Sequence, residues 1–246
     1  MDVRSLTRDS LARTGLLGPA KALRGALVPG ARRAAEDDLH LLVILTAVLR
    51  EDSNCVDIGA HRGSVLEHLV RLAPRGRHTA FEPLPHLVAD LRARFPGVDV
   101  HEAAVAAGPG EASFVHVLER PDYSGLRSRD VPGHAHSSTI SVRLEALDDV
   151  LEPDQPVHLV KIDVEGAELG VLQGAARTLS RHHPLVVFEH GLGGSDHYGT
   201  TPEQIHDLLS QAGLRVFDLS GGGPYDRQAL RRVYDSRSAW NFLARP

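Results

Sequence analysis

Residues 54–63 read Asn54-Cys55-Val56-Asp57-Ile58-Gly59-Ala60-His61-Arg62-Gly63, and Phe81-Glu82-Pro83 follows one βαβ length later. An apolar strand running into Asp-x-Gly, a glycine turn into a helix, and an acidic residue closing the next strand predict a grip on the ribose of a nucleoside. Gly59 and Glu82 stand 23 residues apart, close to the roughly 20 that separate such a turn from its ribose-binding carboxylate. A dinucleotide fits less well. Its G-x-G-x-x-G fingerprint needs a second glycine where the backbone touches a pyrophosphate, whereas Ala60-His61 follows Gly59 and the next glycine is Gly63. A nucleoside cofactor without phosphates fits better, and S-adenosylmethionine is the common one.

The chain of 246 residues is long enough for one α/β domain of ordinary core size. We expect a helical extension over residues 1–50 and the main domain over 51–246. A net charge of −5, with 27 basic and 32 acidic residues and no long block of either sign, gives no support for nucleic acid as a partner. Aromatic residues, at 4%, are too few for base-stacking platforms. Cys55 is the single cysteine, so neither an internal disulfide nor a cysteine zinc cluster is expected, and a reducing cytoplasm is the natural setting. The longest apolar run, residues 39–49, is shorter than the roughly 20 residues that span a bilayer. Asp2, Arg4, Arg8 and Asp9 do not resemble an export signal. No membrane contact is expected.

Residues 9–27 and 34–50 read as helices separated by Pro29-Gly30. From Cys55 onward strands and helices alternate, the mark of a mostly parallel sheet with helices on both faces. Strands are expected at 55–58, 78–81, 98–101, 157–163, 184–189, 214–219 and 240–244. One continuous helix is expected to carry Leu169, Leu172, Ala176 and Leu179. Thr201, Pro202 and Gln204 form the clearest helix start in the chain, a capping box with proline at the first position. Residues 106–145 break the rhythm, with an extra strand at 112–118 and a polar stretch at 119–138 that reads as a substrate-covering loop.

Three segments carry a more specific signal: residues 56–63, Phe81-Glu82-Pro83, and Lys161-Ile162-Asp163-Val164-Glu165-Gly166-Ala167-Glu168. With Leu144-Glu145-Ala146-Leu147-Asp148-Asp149 and Phe188-Glu189-His190, the chain over roughly residues 40–245 resembles the FkbM-type methyltransferases. The resemblance implies a class I methyltransferase Rossmann-like fold with a seven-stranded sheet and S-adenosylmethionine as cofactor. It also implies O-methylation of a small-molecule hydroxyl, on a secondary metabolite or a sugar. The chain departs from the family in His61, where Asn is frequent, and in Ala146-Leu147-Asp148, where Thr-Leu-Asp is usual.

Asp57, Gly59, Gly63, Glu82 and Glu102 are the candidate cofactor residues. Gly59 gives a close backbone approach, and Asp57 steadies the turn or meets the cofactor ammonium through water. Glu82 accepts from the ribose diol, and Glu102 either meets the adenine amino group or is solvated. Methyl transfer is an in-line displacement that needs alignment and removal of the acceptor proton. Asp163 is the first candidate base, His190 the second because its ordinary pKa suits neutrality, and Glu165 the third. In the competing version, Asp163, Glu165, Glu189 and His190 hold Mg²⁺. A nicotinamide-dependent oxidoreductase or epimerase is a more distant alternative, since a Tyr-x-x-x-Lys pair is lacking. Lys161 is expected to neutralise the acidic cluster, Glu168 to lie on a helix surface, and the pairs His134/His136 and His182/His183 to be structural or solvated.

Overall fold

The computed structural model describes residues 29–117, 124–127 and 136–246. The chain divides into two compact units, residues 1–47 and 48–246. In the first, the described element is helix α1, Pro29–Val48. The helix begins at Pro29 rather than at the expected 34, because proline's fixed φ suits a first helical turn. The helix expected over residues 9–27 lies outside the described residues.

The second unit is built on a seven-stranded sheet. Its elements are β1 Cys55–Ile58, α2 Ser64–Leu72, β2 Thr79–Phe81, α3 Pro85–Arg94, β3 Asp99–His101, β4 Ala104–Val105, β5 Gly110–Val117, β6 Ser137–Glu145 and α4 Leu147–Val150. There follow β7 Leu159–Ile162, α5 Glu168–Gly174, α6 Ala176–His182, β8 Leu185–Glu189, a 3₁₀ turn Ser195–Tyr198, α7 Pro202–Gln211, β9 Arg215–Asp218, α8 Arg227–Ser236 and β10 Asn241–Arg245. The large sheet runs β3-β2-β1-β7-β8-β10-β9. Only β10 is antiparallel to its neighbours.

Side-chain alternation along the strands explains why this sheet forms. Ile58 registers with Phe81 on one side and Ile162 on the other, and Ile162 registers with Phe188. These four therefore point to one face, where they join Val56, Val160 and Val186 in the main core. Helices α5 to α8 close that face with Val171, Leu172, Leu179, Ile205, Leu209 and Leu230. The intervening residues, including Asp57 and its register partner Lys161, point to the other face.

Three expectations are corrected. The single helix after β7 is two, α5 and α6, broken at Ala175. Helix α8 was not expected, yet Asp226 caps it by accepting from Ala229 N–H, and Leu230 and Tyr234 bury one face. Residues 104–145 also hold a three-stranded sheet, β4-β6-β5, where one strand was expected. It packs on α3 through Phe114, Val142, Leu84 and Leu87. The capping box of α7 forms as read: Gln204 N–H donates to Thr201 Oγ1, and Thr201 N–H donates to Gln204 Oε1 at 2.9 Å.

Candidate active site

β1 and β7 are neighbours in the sheet, but the chain leaves them in opposite directions, β1 toward β2 and β7 toward β8. Right-handed crossovers put the two following helices on opposite faces, and a crevice opens between them at the strands' carboxyl ends. Register places Gly59, Glu82 and Asp163 one residue beyond the ends of β1, β2 and β7. Backbone bonds fix the row: Gly59 and Ala60 N–H both donate to Phe81 O at 3.0 Å, and Asp163 N–H donates to Ile58 O at 3.0 Å.

Gly59 has φ +78, and a Cβ there would lie 1.8 Å from the Asp163 carbonyl oxygen. The close approach that requires glycine is thus to the chain's own backbone. Gly63, at φ +75, caps α2, and its missing Cβ leaves room for Leu91 of α3 and for Phe95 just after it, at 2.8 and 2.7 Å.

Glu82 is 4% exposed. Its Oε2 accepts the His61 N–H at 2.8 Å and its Oε1 the Leu84 N–H at 3.0 Å. Burial pushes this carboxyl up to about 7, against the pull of the two amides and of Lys161. Each oxygen, with one backbone donor, keeps capacity for a second.

Asp57 is fully buried, and Lys161 Nζ lies 3.1 Å from its Oδ1 and 3.6 Å from Asp163 Oδ2. The same ammonium donates to Gly59 O at 3.0 Å. Burial lifts the Asp57 carboxyl, opposed by Lys161. Burial also works against the Lys161 charge, but Asp57 and then Asp163 outweigh it and hold Lys161 above its ordinary value. Lys161 therefore ties β1, the glycine turn and the end of β7 together, which is more than neutralising an acidic cluster. Residue alternation shows its partnership with Asp57 in advance, since both face one way from adjacent strands.

The Asp163 side chain is 44% exposed at the mouth of the crevice. Glu165 follows with φ 60, a left-handed backbone that costs a non-glycine residue free energy and often marks functional turns. Gly166, at φ +112, leaves no room for a Cβ, which would meet Gly194 O at 2.4 Å and Tyr198 Cδ2 at 2.8 Å. Tyr198 also accepts the Arg127 N–H at 3.1 Å, and the Arg127 guanidinium lies 5.5 Å from its ring centroid. Residues 124–127, the described centre of the expected covering loop, are thereby tied to the 3₁₀ turn beside the Glu165-Gly166 bend.

His190 is 1% exposed beside the Tyr234 ring, with centroids 5.1 Å apart. Burial, aided by Arg231, lowers it to about 4. Glu203 opposes this shift, but burial dominates and favours the neutral imidazole. Glu102 is exposed at the bend after β3. Glu168, expected on a helix surface, is 1% exposed and was missed as a site group. Asp148 is structural, accepting from Thr178 N–H and Oγ1 and from Arg177 N–H. His183 caps α6 with its ring 2.9 Å from Ala212 O, as expected of a structural histidine. Among the described residues no three His, Cys, Asp or Glu side chains come together to hold a metal ion. Asp163, Glu165, Glu189 and His190 therefore do not fit the Mg²⁺ set considered for them. No helix among the described residues is long and apolar enough to cross a membrane.

The family model of the methyltransferase FkbM domain matches residues 57–216. The chain is similar to the AMB antimetabolite synthetase AmbE of Pseudomonas aeruginosa, 27% identical over 80% of this chain and 12% of that protein. It is also similar to Methyltransferase 1 of Beauveria bassiana, 26% identical over 50% of this chain and 59% of that one. The chain thus spans less than two thirds of the length of these curated relatives. Among solved structures, the FkbM methyltransferase of Methylobacillus flagellatus KT superposes with a TM-score of 0.50, at 18% identity over 80% of this chain and 44% of that one. The matched stretch begins at Asp57 and takes in Gly59, Glu82, Lys161, Asp163 and His190, and on that ground the chain belongs to the FkbM methyltransferase family.

Proposed function

We propose that this methyltransferase moves a methyl group from S-adenosylmethionine to a hydroxyl of a small molecule, by in-line transfer with a side chain taking the acceptor proton. The observation that carries the reading is Glu82. It is buried, held on both oxygens by backbone amides, and keeps one acceptor position per oxygen, a match to the two hydroxyls of a ribose. Asp57, fully buried and paired with Lys161 at 3.1 Å, steadies the glycine turn against which the cofactor lies. When bound, the cofactor supplies an electrophilic methyl on a positive sulfur.

The chain's own residues do the rest. Glu82 and the Gly59 turn orient the nucleoside at the ends of β1 and β2. Asp163, partly exposed on the next strand, accepts the hydroxyl proton, and Lys161 fixes its carboxylate from 3.6 Å. Glu165 on the bend beside it is the second candidate base. The neutral His190 imidazole suits a positioning part better than proton storage, since burial takes it to about 4. The likeness to an antimetabolite synthetase supports a secondary metabolite as acceptor. Mass spectrometry of reactions with a panel of hydroxyl, amine and carboxylate acceptors tests the reading. Products one methylene heavier only from hydroxyl acceptors support it, and transfer to nitrogen or carboxylate alone overturns it.

A further inference from the structure

Residues 124–127 join the carboxyl ends of β2 and β7, the strands on either side of β1. On the β2 side Leu126 packs with Leu84 and Leu87, and the Leu84 amide is one of the two that hold Glu82. On the β7 side Arg127 N–H donates to the Tyr198 hydroxyl at 3.1 Å, and the Tyr198 ring closes on Gly166, where a Cβ would lie 2.8 Å from Cδ2. Gly125 exchanges both backbone bonds with Val115, at 3.0 and 2.8 Å, and Val117 N–H donates to the buried Ser124 hydroxyl at 3.0 Å. The backbone of this strap is thereby fixed. The Arg127 side chain is exposed. Among the described residues its guanidinium meets the Tyr198 ring, 5.5 Å from the centroid, and no carboxylate. Lys161 and Arg231, by contrast, are already held by Asp57 and by Glu203.

We propose that Arg127 determines acceptor specificity by receiving a carboxylate of the methyl acceptor, so that the acceptor is a hydroxy acid. The inference rests on the proposed transfer to a hydroxyl at Asp163 and names the acceptor class. From Asp163 the contacts run through the Gly166 bend to Tyr198, and from Tyr198 to Arg127. An acceptor with its hydroxyl at Asp163 meets Arg127 with its other end. Asp163 and Glu165 repel a carboxylate placed beside them, whereas Arg127 attracts one. These opposed charges turn the acceptor hydroxyl-first toward the base. A guanidinium suits the task because its paired N–H donors match two carboxylate oxygens and it stays charged throughout the working range. Resting on Tyr198, it is ordered before the acceptor arrives, which lowers the entropy cost of binding.

Calorimetric titration tests this, with S-adenosylhomocysteine saturating the protein and 3-hydroxybenzoate, 3-hydroxybutyrate and glucuronate each compared with its methyl ester. At least one acid should bind about tenfold more tightly than its ester, the gain expected of a charge-assisted pair. Arg127→Met should remove that preference and leave the affinity of the ester unchanged, and Arg127→Lys should restore part of it. The side chain is exposed and the amide bond to Tyr198 is kept in both variants, so both should fold. Acids that bind no better than their esters in every pair, or a preference that survives Arg127→Met, overturn the inference. So does an equal loss of acid and ester affinity in Arg127→Met, which would mean that Arg127 only holds the strap. These results leave methyl transfer from the proposed cofactor intact. If S-adenosylhomocysteine does not bind, the proposed function falls, and this inference with it.

Discussion

The amide of His61 donates to the Glu82 carboxylate at 2.8 Å across 21 residues of sequence, so the turn after β1 and the acidic end of β2 form one structure. His61 reaches this position with φ 49, in the left-handed region that few residues other than glycine, Asn and Asp enter readily. That backbone gives the family's frequent Asn at this position a physical reason. It also gives the substitution seen here a cost that the Glu82 bond helps to offset.

His61→Asn should therefore fold at least as well as the natural protein and bind the cofactor with similar affinity. His61→Val, with a β-branched side chain forced into the same turn, should lose about 1–2 kcal/mol of stability and bind the cofactor more weakly. Denaturant unfolding and calorimetric titration of both variants check this pair. A Val variant equal to Asn in both measurements would contradict it.

The state of Glu82 makes cofactor binding pH-dependent. Burial holds its carboxyl up to about 7, and the ionised form is the one that accepts two diol hydrogen bonds. Protonation competes with the ligand, so affinity should rise by up to about tenfold between about pH 6 and 8. Glu82→Gln should bind weakly with a flattened profile. Titrations at several pH values decide it, and an affinity that falls with rising pH would show the sign to be wrong.

Lys161 and Asp57 are each other's buried counter-charge at 3.1 Å. Removing one leaves the other uncompensated, so Lys161→Met should cost about 3–5 kcal/mol. The double variant Asp57→Asn/Lys161→Met should cost much less than the two single changes added together. Unfolding free energies for the four proteins complete the cycle. Additive losses would mean that the two charges do not depend on each other.

For the chemical step, Asp163→Asn should keep cofactor affinity and lose roughly 10²–10⁴ in kcat. His190→Gln should leave the acid limb of the pH–rate profile where it is, because an imidazole held near 4 is already neutral over the working range. Single-turnover rates measured across pH separate the two. An acid limb that disappears with His190→Gln would transfer the proton-accepting part to the histidine.

Much of the site could be read in the chain because it depends on short-range chemistry. Asp57-x-Gly59, Phe81-Glu82 and Lys161-Ile162-Asp163 each end a buried strand, and alternation along β1 and β7 makes Asp57 and Lys161 neighbours. The Thr201 box was legible for the same reason, since its partners lie within one turn. What escaped was set by tertiary packing. Helix α8 is rich in charge and has few apolar residues, so Leu230 and Tyr234 mark it only once the core they enter is known. Glu168 looks like an ordinary first-turn acid until the Gly166 bend folds over it. The ordinary pKa of His190 gives no sign that Tyr234 and the strand around it exclude water.

The central claim is that a ribose sits on the Glu82 carboxylate at the carboxyl ends of β1 and β2. A crystal structure with S-adenosylhomocysteine tests it most directly. The account predicts both ribose hydroxyls within hydrogen-bonding distance of the two Glu82 oxygens, with the His61 and Leu84 amide bonds kept. A nucleoside bound elsewhere, or one whose ribose leaves Glu82 untouched, would contradict it.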